Sequence, residues 1–203
     1  MDQQLHWERV YQQKALTESS WYEANPAMSL ELIRQQQLPS GASIIDIGGG
    51  DAVLAAHLLD SGCRDISVLD ISPSAIARAK KRLGSAAEKI RWIVSDILSF
   101  RPERSYQCWH DRATFHFLTT DEEVRRYLDT VTAALLPGGT LIIGTFSENG
   151  PPSCSGLPVR RYTAEEMKSL FAGHFTMLSH LITQHYTPAG QKQEFLFCVF
   201  KKN

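Results

Sequence analysis

The chain has 203 residues, of which 43% are hydrophobic and 21% charged, and its formal net charge is −1. That length fits one domain with its own core. The charge balance leaves no electrostatic footprint for nucleic acid or an anionic membrane. The cysteines Cys63, Cys108, Cys154 and Cys198 are scattered without a CxxC pair, which excludes common zinc-ligand spacings and reads as free thiols, so no metal ligand is singled out. The opening MDQQLHWERVYQQK lacks the apolar stretch of a secretory signal, and no apolar run reaches spanning length. A monomeric cytoplasmic protein without a membrane or nucleic-acid partner is expected.

In chain order, residues 3–14 suit a short helix, and Pro26 opens a second one to about Gln37, stopped by Leu38-Pro39-Ser40-Gly41. The apolar run 43–47, bounded by glycines, reads as a buried strand. Residues 52–61 suit a helix with Val53, Leu54, Leu58 and Leu59 on one face, and 66–70 a second strand. Pro73 sits well at the first turn of a helix over 73–83. Strands follow at 90–94 and 106–111. The helix 121–136 is capped by Thr120 or Asp121, with Glu122 and Glu123 at its positive end. Pro137-Gly138-Gly139 ends it and feeds a strand over 140–145. Thr163 and Glu166 have capping-box spacing before a helix to Phe171. Late strands fall at about 176–186 and 194–201, joined through Pro188-Ala189-Gly190.

Five βα-type repeats followed by two adjacent strands predict an α/β fold. The sheet is doubly wound, mostly parallel and seven-stranded, with an antiparallel edge strand and helices on both faces. Residues 1–39 read as an N-terminal helical lid segment and 40–203 as one Rossmann-like unit. Ligands of such sheets bind beyond the carboxyl ends of the strands, which directs attention to Asp46 through Gly50, Asp70, Asp96 and Asp111.

Glycines at 48, 49 and 50 allow backbone angles closed to other residues and let a ligand approach closely. The dinucleotide fingerprint GxGxxG fails, because Val53 stands at its last position. Asp46 would repel a diphosphate there and favour a ligand carrying an ammonium and a sulfonium. Asp70 ends the second strand, where a carboxylate can accept both hydroxyls of a ribose. Asp96 after the third strand can take the exocyclic amine of an adenine while Ile97 packs on the ring.

These motifs resemble the class I (seven-stranded) S-adenosylmethionine-dependent methyltransferases over about residues 40–145. Residues 44–52 are similar to the first motif of that family, with Ala52 where a glycine is common. Val68-Leu69-Asp70-Ile71-Ser72 resembles its ribose-binding loop, Ser95-Asp96-Ile97 its adenine-binding loop, and residues 135–141 its turn before the fifth strand. The resemblance implies S-adenosyl-L-methionine as cofactor and S-adenosyl-L-homocysteine as product. Gly48 and Gly50 would meet the cofactor, Asp70 and Ile71 the ribose, Asp96 and Ile97 the adenine, and Asp111 the methionine end. His6-Trp7-Glu8-Arg9-Val10-Tyr11 with Ser20-Trp21-Tyr22 resembles small relatives of citrate synthase and elongation-factor lysine methyltransferases, in which the positions of Trp7, Tyr11 and Trp21 touch the cofactor. Read without the resemblance, these aromatics form either a lid or a staple to the core.

His110 and His116 follow the fourth strand's core, and His116 is the candidate proton acceptor. The segment Asp111-Arg112-Ala113 is closer to the small-molecule branch (thiopurine and tellurite methyltransferases) than to the lysine branch. Arg160 and Arg161 could grip an anionic substrate. The expected activity is methyl transfer to an N, O or S atom of a small molecule or a protein lysine. A nicotinamide-dependent oxidoreductase and a non-catalytic S-adenosylmethionine-binding module are the competing readings.

Overall fold

The computed structural model describes residues 3–203. Helices α1 (Gln3–Gln13) and α2 (Ala27–Gln35) precede the sheet. Strand β1 (Ser43–Ile47), helix α3 (Val53–Asp60), strand β2 (Asp65–Asp70), helix α4 (Pro73–Leu83) and strand β3 (Ile90–Val94) build its first half. Strand β4 (Tyr106–Arg112), helix α5 (Asp121–Ala134) and strand β5 (Leu135–Phe146) follow. A two-stranded hairpin, β6 (Ser153–Cys154) and β7 (Leu157–Pro158), leads to α6 (Ala164–Phe171), β8 (Phe175–Tyr186) and β9 (Lys192–Lys202).

The sheet order is β3-β2-β1-β4-β5-β9-β8. The strands β1 to β5 pair in parallel, and β9 runs antiparallel to both β5 and β8. Chain direction reverses its progress between β1 and β4, the switch point where such sheets bind ligands. All five residues of β1 are buried, as a central strand covered on both faces requires.

Alternation along the strands divides the core. Ile45, Ile47, Trp109, Leu141 and Ile143 face α5 and α6, packing on Tyr127, Val131, Met167 and Phe171. Ile44, Val68, Cys108 and Ile142 face the other way, against Leu32 and Ile33 of α2, Leu54 and Leu58 of α3, and Ala79 of α4. Local signals fix the helix ends. Ser72 accepts the Ala75 N–H at the start of α4, and Thr120 with Glu123 and Thr163 with Glu166 form reciprocal capping boxes.

Two expectations differ from the structure. The connection from β3 to β4 has no helix, because Asp96 folds it into a turn by accepting the Leu98 N–H at 2.8 Å. Strand β5 begins at Leu135, so Pro137-Gly138-Gly139 lies inside an irregular strand rather than before one. Pro137 disfavours helical angles at Leu136 and the chain leaves α5 already extended. The four cysteines are free, and three are buried. Among the described residues no helix is long and apolar enough to cross a membrane, and no group of three or more metal-ligating side chains occurs.

Candidate functional site

The carboxyl ends of β1, β2 and β4 open onto a cavity of about 740 Å³. Its floor holds Gly48, Leu69, Asp70 and Ile71; Ser95, Asp96 and Ile97 form one side; Trp7, Tyr11, Trp21 and Phe117 form an aromatic wall. A second cavity, of about 550 Å³, lies over Asp46 and Gly48 to Asp51 and is walled by Trp21, Tyr22, Glu23, Ser29, His110 and Arg112. Trp21, Gly48 and Arg112 line both.

The glycine turn needs its glycines. Gly48 and Gly50 have φ of +62° and +52°, and a Cβ would strike the Thr114 hydroxyl at Gly48 and the Tyr11 hydroxyl at Gly50. Ala52 also takes a left-handed φ of 56°, at the position where the resembling family often has glycine. Asp70 ties the turn to α4: Oδ2 accepts the Gly50 N–H at 2.9 Å and Oδ1 the Ser72 N–H at 2.8 Å. Burial pushes the Asp70 carboxyl up to about 6, against those two hydrogen bonds.

Asp46 is buried and accepts the His110 Nδ1–H at 2.8 Å, while His110 Nε2 faces Ser29 Oγ at 2.9 Å. Asp51 pairs with Arg78 through two bonds of 2.5 and 2.6 Å. These acids surround Tyr11, whose hydroxyl is held well above its ordinary pKa by burial first and then by Asp70, Asp51 and Asp46. A diphosphate at this turn would meet three carboxylates.

The N-terminal segment is pinned to the fold. Glu8 accepts from Ser72 Oγ at 2.6 Å and the Ser74 N–H at 3.1 Å, at the positive end of α4. Arg78 reaches the Tyr11 and Lys14 carbonyls at 3.1 and 2.6 Å. Trp21 meets Trp7 and Tyr11 edge to face, with centroids 5.7 and 5.8 Å apart.

Of the residues singled out in the sequence, the structure brings Trp7, Tyr11, Trp21, Gly48, Asp70, Ile71, Asp96 and Ile97 together on the first cavity. Asp46 and Gly50 line the second. Two lie elsewhere. Asp111 points to the α5 face, where it accepts the Thr114 and Phe115 N–H groups (both 3.1 Å) and the Tyr127 hydroxyl (2.8 Å). It anchors the turn after β4 and lines neither cavity, because strand alternation sends it to the side opposite His110. His116 is fully buried against Phe117 and Phe146, and both ring nitrogens are without a partner. Burial, assisted by the Arg112 charge, pushes it down to about 3, and it lines neither cavity. A histidine so placed stays neutral at neutral pH. Arg160 is engaged with Asp121 at 2.7 Å.

Arg112, read in the sequence only within the segment 111–113, and Glu23, not singled out there, meet at the second cavity. Arg112 Nη1 donates to the Trp21 carbonyl at 3.0 Å and Nη2 to Glu23 Oε1 at 2.8 Å. Its guanidinium lies over the Phe195 ring, 4.9 Å from the centroid. A charged residue closing an otherwise buried strand was the available signal.

Residues 44–139 match a family model described as a methyltransferase domain. The chain is 25% identical over 205 residues to human EEF1A lysine methyltransferase 2, covering 92% of this chain and 79% of that protein. It is 29% identical over 141 residues to the mouse eEF1A lysine and N-terminal methyltransferase, covering 66% of this chain but only 20% of that relative's length. The solved structure of N-methyltransferase NodS from Bradyrhizobium japonicum WM9 in complex with S-adenosyl-L-homocysteine shares the fold. Its TM-score is 0.67 at 18% identity, covering 96% of this chain and 97% of that one. Sheet order and glycine turn agree with the fold of this solved structure, and residues 44–139 are similar to a methyltransferase domain.

Proposed function

We propose that this chain is an enzyme that moves the methyl group of S-adenosylmethionine to an N, O or S atom of a small molecule or a protein lysine. The observation that carries this reading is the first cavity, where Gly48, Asp70, Asp96 and Ile97 meet an aromatic wall. Its residues fit the cofactor. Each Asp70 oxygen already takes one backbone N–H and keeps a lone pair for a ribose hydroxyl. Asp96 spends Oδ1 on Leu98 N–H, leaving Oδ2 for an exocyclic amine, with Ile97 beside it for the ring. Trp7, Tyr11 and Trp21 offer ring faces and edges to a cationic centre, and the nearby carboxylates disfavour a nicotinamide dinucleotide's diphosphate.

Bound there, the cofactor supplies a methyl carbon already activated by its sulfonium. The chain's residues align it, exclude water through the aromatic wall and fix the ribose. The lid role belongs to α1 and the following segment to Trp21, since α2 contributes Leu32 and Ile33 to the core. A lysine acceptor is supported by the alignment with human EEF1A lysine methyltransferase 2 along nearly the whole chain. Incubation with methyl-labelled S-adenosylmethionine and either cell extract or a panel of small amines, alcohols and thiols tests the proposal. Label in a protein band supports the lysine acceptor, label in a small product supports the other branch, and label in neither contradicts methyl transfer.

A further inference from the structure

His185 on β8 is buried and belongs to neither cavity, yet its two ring nitrogens meet two groups that can only accept. Nδ1 lies 3.0 Å from Glu23 Oε1, and Nε2 lies 2.7 Å from the Ser20 carbonyl oxygen. The same Glu23 oxygen accepts from Arg112 Nη2 at 2.8 Å, so it is not the oxygen carrying a proton. A neutral imidazole has one N–H and could satisfy only one of these partners. Both bonds exist together only when the ring is an imidazolium.

The geometry points to His185 as a positioning residue that acts in its protonated form: it clamps the segment 20–23, and with it Trp21 and Arg112, over the cofactor cavity. The assignment rests on the cofactor reading above. Three links carry it. Ser20 and Glu23 flank Trp21, the ring shared by both cavities. Arg112, also shared by both, is held between the Trp21 carbonyl and Glu23. His185 in turn holds Ser20 and Glu23 against β8, so one ring orders both shared walls.

The charged groups facing His185 are Glu23 from the segment before α2 and, behind it, Arg112 from β4; β9 places the uncharged Gln193 opposite it in register and the Phe195 ring edge 6.1 Å away. Asp46 faces Arg112 from β1. Burial would raise the Glu23 carboxyl, but hydrogen bonding from His185 and the Arg112 charge outweigh it and hold the carboxyl below its ordinary value. Cys154, near Ser20 on β6, has its thiol pushed up by burial and stays neutral at neutral pH. Within this cluster the hydrogen-bond pattern thus requires a second ring proton of His185. Losing its second proton removes one charge-assisted bond and frees either Ser20 or Glu23.

The test uses the full chain and two readouts. Nitrogen NMR of the His185 ring reports protonation directly, and calorimetric titration with S-adenosylhomocysteine at pH 7 and pH 9 reports the cavity. Both ring nitrogens should be protonated at pH 7, and affinity should fall roughly tenfold by pH 9, the loss of one charge-assisted hydrogen bond. His185→Gln, which cannot titrate, should show a flat profile over that range. A ring neutral at pH 7 overturns the proposal, and so does a His185→Gln variant that keeps the wild-type profile. If the variant does not fold, the wild-type NMR result still decides. Absence of binding at every pH overturns the cofactor reading, and this assignment with it.

Discussion

Replacing Asp70 by Asn separates the cofactor role of this carboxylate from its structural one. In the wild type Oδ1 and Oδ2 hold the Ser72 and Gly50 N–H groups at 2.8 and 2.9 Å. The amide keeps one acceptor but turns an NH₂ toward the other donor. An orphaned buried N–H costs about 1–3 kcal/mol. Against this, the substitution removes a buried charge whose pKa burial has pushed up to about 6, so the two effects partly cancel. The expected net loss is about 1–2 kcal/mol, a fall in Tm of roughly 2–8 °C for a chain of this size. Binding should suffer more, because hydrogen bonds from ribose hydroxyls to a carboxylate are worth about 1.5–3 kcal/mol each. Affinity for S-adenosylhomocysteine should drop about 10- to 100-fold. Calorimetry and thermal denaturation on the same preparation give both numbers. A folded Asp70→Asn protein with unchanged affinity would refute the reasoning and leave the carboxylate as a clamp between the glycine turn and α4.

The acid side of the pH profile follows from the same group: ligand hydroxyls favour the ionised carboxylate, so affinity should decline below about pH 6, where Asp70 takes up its proton, and calorimetry at pH 5 and 7 checks it. For folding the sign is opposite. Asp70 and Asp111 are both raised to about 6 by burial, so each contributes stability that is present below its unfolded pKa of roughly 4 and lost as pH rises toward 6. Tyr127→Phe removes the hydroxyl that donates to Asp111 Oδ2 at 2.8 Å and accepts from Trp109 Nε1 at 2.9 Å. Denaturant titration should show a loss of about 2–4 kcal/mol, with cofactor affinity unchanged. His116→Phe replaces a buried, unpartnered imidazole with a ring suited to its neighbours Phe117 and Phe146. Stability should stay level or rise by about 1 kcal/mol, and methyl transfer should persist; abolished turnover in a folded variant would restore His116 as a proton acceptor.

Where local chemistry decides structure, the sequence was readable. The cap at Thr120, the capping-box spacing at Thr163, Pro73 at the first turn of α4, and the mostly apolar run of β1 all place elements within a residue or two of their observed bounds. The cavity acids Asp70 and Asp96 were equally legible, because strand ends in a parallel sheet fall on one edge. What failed depended on strand alternation and tertiary burial. Asp111 and His110 are adjacent in sequence but face opposite layers, and only the register of β4 against β1 decides which reaches a cavity. His116 carries no local mark of burial. The Arg112–Glu23–His185 cluster joins three distant segments, and no spacing rule connects them.

Calorimetric titration of the purified chain with S-adenosylhomocysteine, and in parallel with NAD, tests the central claim most directly. The expected result is stoichiometric binding of the sulfur nucleoside, weakened about 10- to 100-fold on Asp70→Asn, and no heat from NAD. Binding of NAD without the sulfur nucleoside would contradict the assignment of the cavity.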